Sequence, residues 1–462
     1  MAQTKTDKIY LFEQMPIPKA VVTMSVPTVL SSLVMILYNL ADTFFVGQLG
    51  DPIQNAAVTL AAPVLLAFNA VNNLFGVGSS SMMSRALGRK DPDTARKSAA
   101  FGFYCALLCA LLFSAAVTVF RAPLLTLLGA TAETAPGTAD YLFWTASMGA
   151  APAILNVVMA YMVRAEGASL HASIGTMSGC VLNMILDPFF ILPWGLGMGA
   201  AGAGLATCLA NCFACCYFFV LLRLRRKQTV VSLNPRHFRF EKEIVSGVCG
   251  VGIPASIQNL LNVTGMTVLN NFAAGYGSNA VAAMGIAQKL NNIPFQVSMG
   301  VSQGIMPIIS YNYAAGNVKR MKGTLFFAMK ISLSLLCTLC LGYLLFAPGL
   351  VQLFMDNPVI VEYGSTFLRC KCLALPFLAM DFIAVGVFQA CGMGRKSLLF
   401  AILRKIVLEI PAIFIWNALW PMYGLACSQA TAEVILATAA VIMLRKIFRD
   451  LEHKYPTKEK ES

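Results

Sequence analysis

Charge is scarce in this sequence. Only 12% of its 462 residues are Asp, Glu, Lys or Arg, where a soluble domain carries roughly 25%. Histidine is scarcer still, with three in the chain. His171, His237 and His453 stand in loops or at the ends of apolar segments, so no intramembrane histidine–metal site is available. No Walker A phosphate-binding run is present, so ATP is not the evident energy source. The Gly-rich run from Gly195 to Gly204 follows no strand and reads as helix packing or a tight loop. Together these shortages exclude a soluble enzyme and a nucleic-acid binder, despite a net charge of +13.

Apolar residues make up the balance. They account for 58% of the chain, and the mean hydropathy is +0.70. They fall in long blocks separated by short basic loops, the pattern of a polytopic membrane protein. A span needs about 20 residues, so twelve spans need roughly 240. Twelve segments are legible, at 20–45, 53–83, 99–119, 138–163, 169–192, 199–222, 244–273, 280–311, 323–347, 360–391, 397–417 and 424–445. The N-terminal stretch Met1 to Lys19 is polar, and the first apolar run is too long for a cleavable signal. Most of the 14 cysteines lie inside apolar runs, where a free thiol acts as a small hydrophobe. Cys212, Cys215 and Cys216 have the spacing of a metal pair, but no second pair sits at matching depth.

Basic residues set the orientation. With the N-terminus inside, Lys5, Lys8, Lys19, the Arg223–Lys242 stretch and tail residues such as Lys454, Lys458 and Lys460 are all cytoplasmic. The outer loops hold only Arg121. The positive-inside rule then makes both termini cytoplasmic. The expected organisation is an N-lobe at 1–222, a cytoplasmic linker at 223–243, a C-lobe at 244–446 and a tail at 447–462.

The two halves look duplicated. Pro27 matches Pro254 and Gly50 matches Gly277, both 227 residues apart. Gly88 matches Gly316, Gly167 matches Gly392, and Gly204-Leu205-Ala206 matches Gly424-Leu425-Ala426, in the same order at offsets of 220 to 228. Six spans per half is an even number, so both halves insert the same way up. A parallel repeat of this kind predicts a cavity between two six-helix lobes.

Against this background the acids inside apolar runs stand out. Each costs about 2.5–3.5 kcal/mol on insertion scales, and each is a functional candidate. Five qualify: Asp42, Asp187, Asp381, Glu409 and Glu433. Asn183 and Asp187 are four apart and share a helix face. With Asp42, Asn156 and Thr207 they make a hard-oxygen set suited to a proton or a sodium ion. Separate helix-packing hydrogen bonds are the plainer alternative. The second half has diverged: Leu269 stands where Asp42 would repeat, and Ile410 replaces Asp187 with Glu409 one residue earlier. Asp381, Glu409 and Glu433 either meet a cationic substrate or pair with Lys289, Arg369, Lys371, Arg404 or Lys405. A stripe of amides and methionines in segments seven and eight suggests a wet, cavity-facing surface: Gln258, Asn259, Asn262, Met266, Asn270, Met284, Gln288, Asn291, Asn292, Gln296, Met299 and Met306. Of these, Gln258, Asn259, Asn262, Met266, Met284, Gln288 and Met299, with Asp381 of segment ten, are the candidate substrate residues.

These residues resemble a known family. Leu11-Phe12-Glu13, Pro27, Tyr38-Asn39, Asp42-Thr43-Phe44-Phe45-Val46-Gly47 and Leu49-Gly50 are similar to the first helix of MATE (multidrug and toxic compound extrusion) transporters. Arg85-Ala86-Leu87-Gly88 resembles their first cytoplasmic loop. Residues 183–188 and 202–207 resemble their fifth and sixth helices. The branch looks like the bacterial MepA-type or DinF-like one. The resemblance implies an all-α membrane protein of twelve helices in two lobes. It implies efflux of cationic lipophilic compounds across the inner (plasma) membrane, in exchange for protons or sodium, with no other cofactor. The family's cation site would fall on Asp42, Asn156, Asn183, Asp187 and Thr207, with sodium expected at Asp42, Asn183 and Asp187. Another branch uses acids in helices seven and ten. Here the helix-seven acid is missing and Asp381 lies near the helix-ten position. The expected partners are cationic drugs and the bilayer, with no nucleic acid and a monomeric carrier. Two alternatives stay open: a lipid-linked precursor flippase of the same superfamily, and an intramembrane hydrolase built on an aspartyl pair.

Overall fold

The computed structural model describes residues 5–455; residues 1–4 and 456–462, including Lys458 and Lys460, lie outside the described residues. Helices follow one another along the whole described chain, and no strand occurs among the described residues. Apolar surroundings dictate this, because a helix satisfies its own backbone where no water can.

A short helix, Lys5–Glu13, precedes twelve long elements. We number them α1 (Ile17–Gly47), α2 (Pro52–Gly88), α3 (Pro92–Val119), α4 (Ala135–Met148 with Ala150–Ala165), α5 (Ser169–Ile191) and α6 (Ala200–Leu224). The series continues with α7 (Lys242–Ala274), α8 (Ser278–Ala314), α9 (Val318–Gln352), α10 (Pro358–Cys372 with Leu375–Ala390), α11 (residues 394–419) and α12 (Gly424–Lys454). Eight are long and apolar enough to cross a membrane by themselves, and ten when α4 and α10 each count as one bent span. The other two, α8 and α11, are diluted by the residues of interest: amides and Lys289 in α8, and Arg404, Lys405 and Glu409 in α11.

The duplication is visible in local geometry. α4 bends by 49° after Met148 and α10 by 50° after Cys372. Gly50 (φ +63°) and Gly277 (φ +99°) each close the turn after the first helix of a repeat. Both take the left-handed conformation that only glycine adopts without strain. One expected match shifts. Gly88 is helical, and the left-handed residue facing Gly316 (φ +73°) in the repeat is Lys90 (φ +59°). Lys90 N–H bonds to the Leu87 carbonyl as Gly316 N–H bonds to that of Tyr313.

The chain forms two compact units. One is built chiefly from Leu30–Ser256, the other from Phe12–Val29 and Ile257 onward. α1 and α7 each contribute to both, and the change falls just after Pro27 and Pro254. A proline leaves one carbonyl of the preceding turn without its donor and bends the helix.

Close helix approach in the first unit positions its polar groups. A Cβ on Gly179 of α5 would lie 3.1 Å from Ala214 Cβ and 3.2 Å from the Ala210 carbonyl of α6. Small residues let the two backbones meet, as is usual in membranes. Asn183, one turn along, is thereby brought to Thr207. In the second unit, Arg404 is buried in an ion pair with Glu433 and stands 5.3 Å over the Phe382 ring.

Two predictions follow from this packing. Gly179→Leu wedges α5 from α6 and is expected to cost about 1–3 kcal/mol, read as a lower melting midpoint of the detergent-purified protein. An unchanged midpoint would refute the close approach. Asp91, in the polar turn before α3, caps that helix by accepting from Thr94 N–H at 3.0 Å. The Thr94 hydrogen bonds hold its carboxyl below the usual carboxylate range. A depressed carboxyl adds stability that is present above its unfolded pKa and lost as pH falls through the folded one. Asp91→Ala therefore costs about 1 kcal/mol at neutral pH, and its effect on the midpoint shrinks toward pH 3.

Candidate functional site

In the first unit the polar groups of α1, α4, α5 and α6 converge. Asp187, immediately before Pro188 of α5, is fully buried. Asn183 is buried one turn earlier on the same face. The amide orientation that satisfies its surroundings directs its nitrogen to Asp187, donating at 2.7 Å to Oδ2 and 3.2 Å to Oδ1. Its oxygen then accepts from the Thr207 hydroxyl at 3.2 Å and the Thr207 backbone N–H at 3.0 Å. Asn183 therefore ties α5 to α6 and holds Asp187 in a single pose.

Asp42 reaches this group from the last two turns of α1. Its charge and that of Asp187 act on one another. Oδ1 of Asp42 is shut off from solvent and has no hydrogen-bond partner. Such an oxygen is costly in an apolar interior. A proton on it, or a sodium ion beside it, would supply what the protein leaves out. Two tyrosines complete the cluster. Tyr38, one turn before Asp42, hydrogen-bonds through its hydroxyl to Thr207 and lies in the field of both aspartates. Tyr141 of α4 is buried in the same field.

Four of the five expected residues, Asp42, Asn183, Asp187 and Thr207, thus stand together. Asn156 is buried on α4, but its amide donates to the Pro152 carbonyl at 2.7 Å and to Asn211 Oδ1 at 3.0 Å. Sequence reading missed Tyr38, Tyr141 and Asn211. The signal for Tyr38 was available: it sits four residues before Asp42, on the same helical face.

The second unit contains a cavity of about 550 Å³. Asn262, Met266, Asn270, Gln288, Asn291 and Asn292 of the expected amide–methionine stripe line it. Gln258, Asn259, Met284, Met299 and Asp381 do not. Gln258 accepts from Gln389 at 3.4 Å, Met284 is fully buried, and Asn259 and Met299 are half-buried. Asp381 is buried against Glu433, and both carboxyls lie in the field of Arg404. The cavity wall instead includes Lys289, Lys371, Arg404 and Lys405, with Glu409 as the one carboxylate. Glu409 accepts from Lys405 at 2.6 Å. A seven-residue π-helical stretch, Leu403–Glu409, carries three of these groups. Wider turns of this kind often occur at functional sites. The sequence pattern offered pairing partners for Glu409 and Glu433 but gave no sign of this wider turn.

Comparison with known proteins agrees with the repeat. The MatE family model matches twice, over residues 27–189 and 254–415. The second match starts at the proline equivalent to that of the first. The multidrug export protein MepA of Staphylococcus aureus (strain NCTC 8325 / PS 47) is 32% identical over 443 residues, covering 95% of this chain and 96% of the relative. A multidrug resistance MATE family transporter of the MOP superfamily, solved in an outward-facing conformation, is similar with a TM-score of 0.89 at 26% identity, over 96% of this chain and 99% of that one. A MOP superfamily transporter from Pyrococcus furiosus gives a TM-score of 0.90 at 26% identity, over 98% and 100%. Two matches of the family model and near-complete coverage of these relatives show that this multi-pass membrane chain belongs to the MatE family.

Proposed function

We propose that the chain is a secondary active multidrug efflux antiporter. It exports lipophilic compounds, cationic ones among them, in exchange for protons or sodium, by alternating access. The names of its relatives support drug export. The observation that carries the coupling is the Asp42–Asp187 pair, with Asp187 fully buried and one Asp42 oxygen sealed from solvent without a hydrogen-bond partner. The carrier acts as a monomer in the inner (plasma) membrane with both termini cytoplasmic, uses no cofactor beyond the ion gradient, and is not an enzyme. The basic residues of its inner loops support that orientation.

Coupling needs an ion that binds one state of the carrier better than the other. In the state described here, Asn183 spends its N–H groups on Asp187, and Tyr38 and Thr207 satisfy one another. Asp42 is the group left to answer. Loading it removes the repulsion between two neighbouring carboxylates and relaxes α1 against α5 and α6. That change in the first unit alters its hold on a bound drug. Oxygen atoms from Tyr38, Asp42, Asn183, Asp187 and Thr207 would also suit sodium, a hard cation. Sodium would require the Asn183 amide to turn its oxygen toward Asp187.

Reconstituted liposomes test this. With proton and sodium gradients imposed separately, drug efflux is expected to follow one of them. Asp42→Asn and Asp187→Asn are each expected to lose that gradient-driven efflux by tenfold or more, about 1.4 kcal/mol in coupling. Wild-type efflux in both variants would reject the ion site. Tyr38→Phe keeps the ring but deletes one hydrogen bond. It should slow coupled efflux by roughly fivefold, in line with about 1 kcal/mol per bond. A rate equal to wild type would remove Tyr38 from the site.

A further inference from the structure

The cavity of the second unit has the wrong charge for a cation. Four cationic side chains and one carboxylate line it. Two of the cations are answered: Arg404 pairs with Glu433 and also lies in the field of the buried Asp381, and Lys405 donates to Glu409 at 2.6 Å. Counted with these three carboxyls, the four cations still leave one without a counterpart. Glu409 is shared further, because Arg404 and Lys371 also act on it. Lys371 is only 3% exposed, and its ammonium donates to Gln429 Oε1, a neutral acceptor, at 3.3 Å. An ammonium has three donors and is costly to bury without an anion. Lys289, on the facing helix α8, is exposed to the cavity side and forms no ion pair among the described residues. Positive charge therefore exceeds what the walls neutralise.

The remaining wall divides into two characters. Asn262, Gln288 and Asn292 offer amide donors. Met266, Leu269 and Phe295 offer apolar surface. At about 550 Å³ the space is of the size that holds a drug-like molecule. A bare inorganic anion would leave the apolar wall unused, and a cation would face Lys371 and Lys289. We propose that this cavity binds an amphipathic organic anion, its carboxylate or equivalent acid group between Lys371 and Lys289 and its apolar body against Met266, Leu269 and Phe295. The acid group completes the donors of Lys371 that Gln429 leaves free. Two sources share this chemistry, a free organic acid and an anionic lipid, and the experiment separates them. The site stands on the second unit alone and does not depend on how the Asp42–Asp187 cluster is coupled.

Binding of tritiated 2-naphthoate to the purified full chain in neutral detergent tests the proposal by scintillation proximity, with no ion gradient. Saturable binding is expected, and the ring-matched cation 2-naphthylmethylammonium should not compete. Lys371→Met is expected to weaken naphthoate binding about tenfold or more, the loss of a charge-assisted contact, while Lys371→Arg retains most of it. Lys289→Met, at an exposed position, should weaken it several-fold without disturbing the fold. A melting midpoint for each variant separates loss of binding from loss of structure. Displacement of naphthoate by phosphatidylglycerol but not phosphatidylcholine supports the site and identifies lipid as its source. Displacement by neither supports a free acid. Tighter binding of the naphthyl cation, or naphthoate binding unchanged in both Met variants, would overturn the proposal. So would the absence of saturable binding by both naphthoate and phosphatidylglycerol. Loss of drug efflux in Asp42→Asn with naphthoate binding intact would leave both readings standing apart.

Discussion

A charge inside an apolar helix bundle has no water to fall back on, and each one must be answered by a partner, a proton or a ligand. Much of this protein can be read as a set of answers to that demand. Glu433 is answered by Arg404 and Glu409 by Lys405. Asp187 is answered by the amide of Asn183, which is in turn held by Thr207. The exceptions are informative. Asp42 has an oxygen with no partner, Asp381 lies buried against Glu433 with only the field of Arg404 to answer it, and Lys371 donates to a single neutral acceptor. A fully paired bundle would be a rigid membrane plug. A transporter has to leave a few charges for its cargo to complete.

Duplication supplied one scaffold for two chemistries. The repeats keep what the backbone needs: Pro27 with Pro254, the left-handed glycines at 50 and 277, and the bends near 149 and 373. These positions fix where helices turn and how closely they pack. The side chains that the scaffold presents are free to differ. Leu269 takes the place of Asp42 and is buried at the cavity of the second unit. The position of Asp187 has become Ile410, and the acid has moved to Glu409 on the π-helical stretch, where it faces Lys405. The first unit thus sets two acids among hydroxyls and an amide. The second sets Asp381, Glu409 and Glu433 among amides and a larger number of cations.

The sequence carried the spans, the repeat and four residues of the acidic cluster, because each leaves a one-dimensional trace. A run of about 20 apolar residues, a fixed offset and an aspartate within such a run can all be counted. Asn183 and Asp187 were paired by their spacing of four, which is helix geometry and nothing more. Asn156 adds what spacing cannot supply. It is buried on α4, and its amide N–H groups go to the Pro152 carbonyl and to Asn211 of α6. Nothing in the order of residues says which of two neighbouring helices an amide will turn to. The substrate surface was harder still. Asn262, Met266, Asn270, Gln288, Asn291 and Asn292 of the expected stripe line the cavity, while Gln258, Asn259, Met284, Met299 and Asp381 do not. The decisive wall comes from α10, α11 and α12, and it depends on a π-helical stretch that a 3.6-residue period cannot foresee.

The same limit explains why the basic residues were misjudged in weight. In the loops, Lys and Arg carry topology, and their number is a sum that sequence supplies. Within spans, the sequence offered Lys289, Arg369, Lys371, Arg404 and Lys405 as partners for Asp381, Glu409 and Glu433, with a cationic substrate as the alternative. Two of these cations do pair. Cancellation is a statement about pairs, however, and with Arg404 on Glu433 and Lys405 on Glu409 neither Lys371 nor Lys289 has a carboxylate of its own among the described residues. The surplus emerges only when distances assign each carboxylate to its cation. It is that surplus, a buried ammonium beside apolar surface, that gives the second unit a ligand preference opposite in sign to the acids of the first.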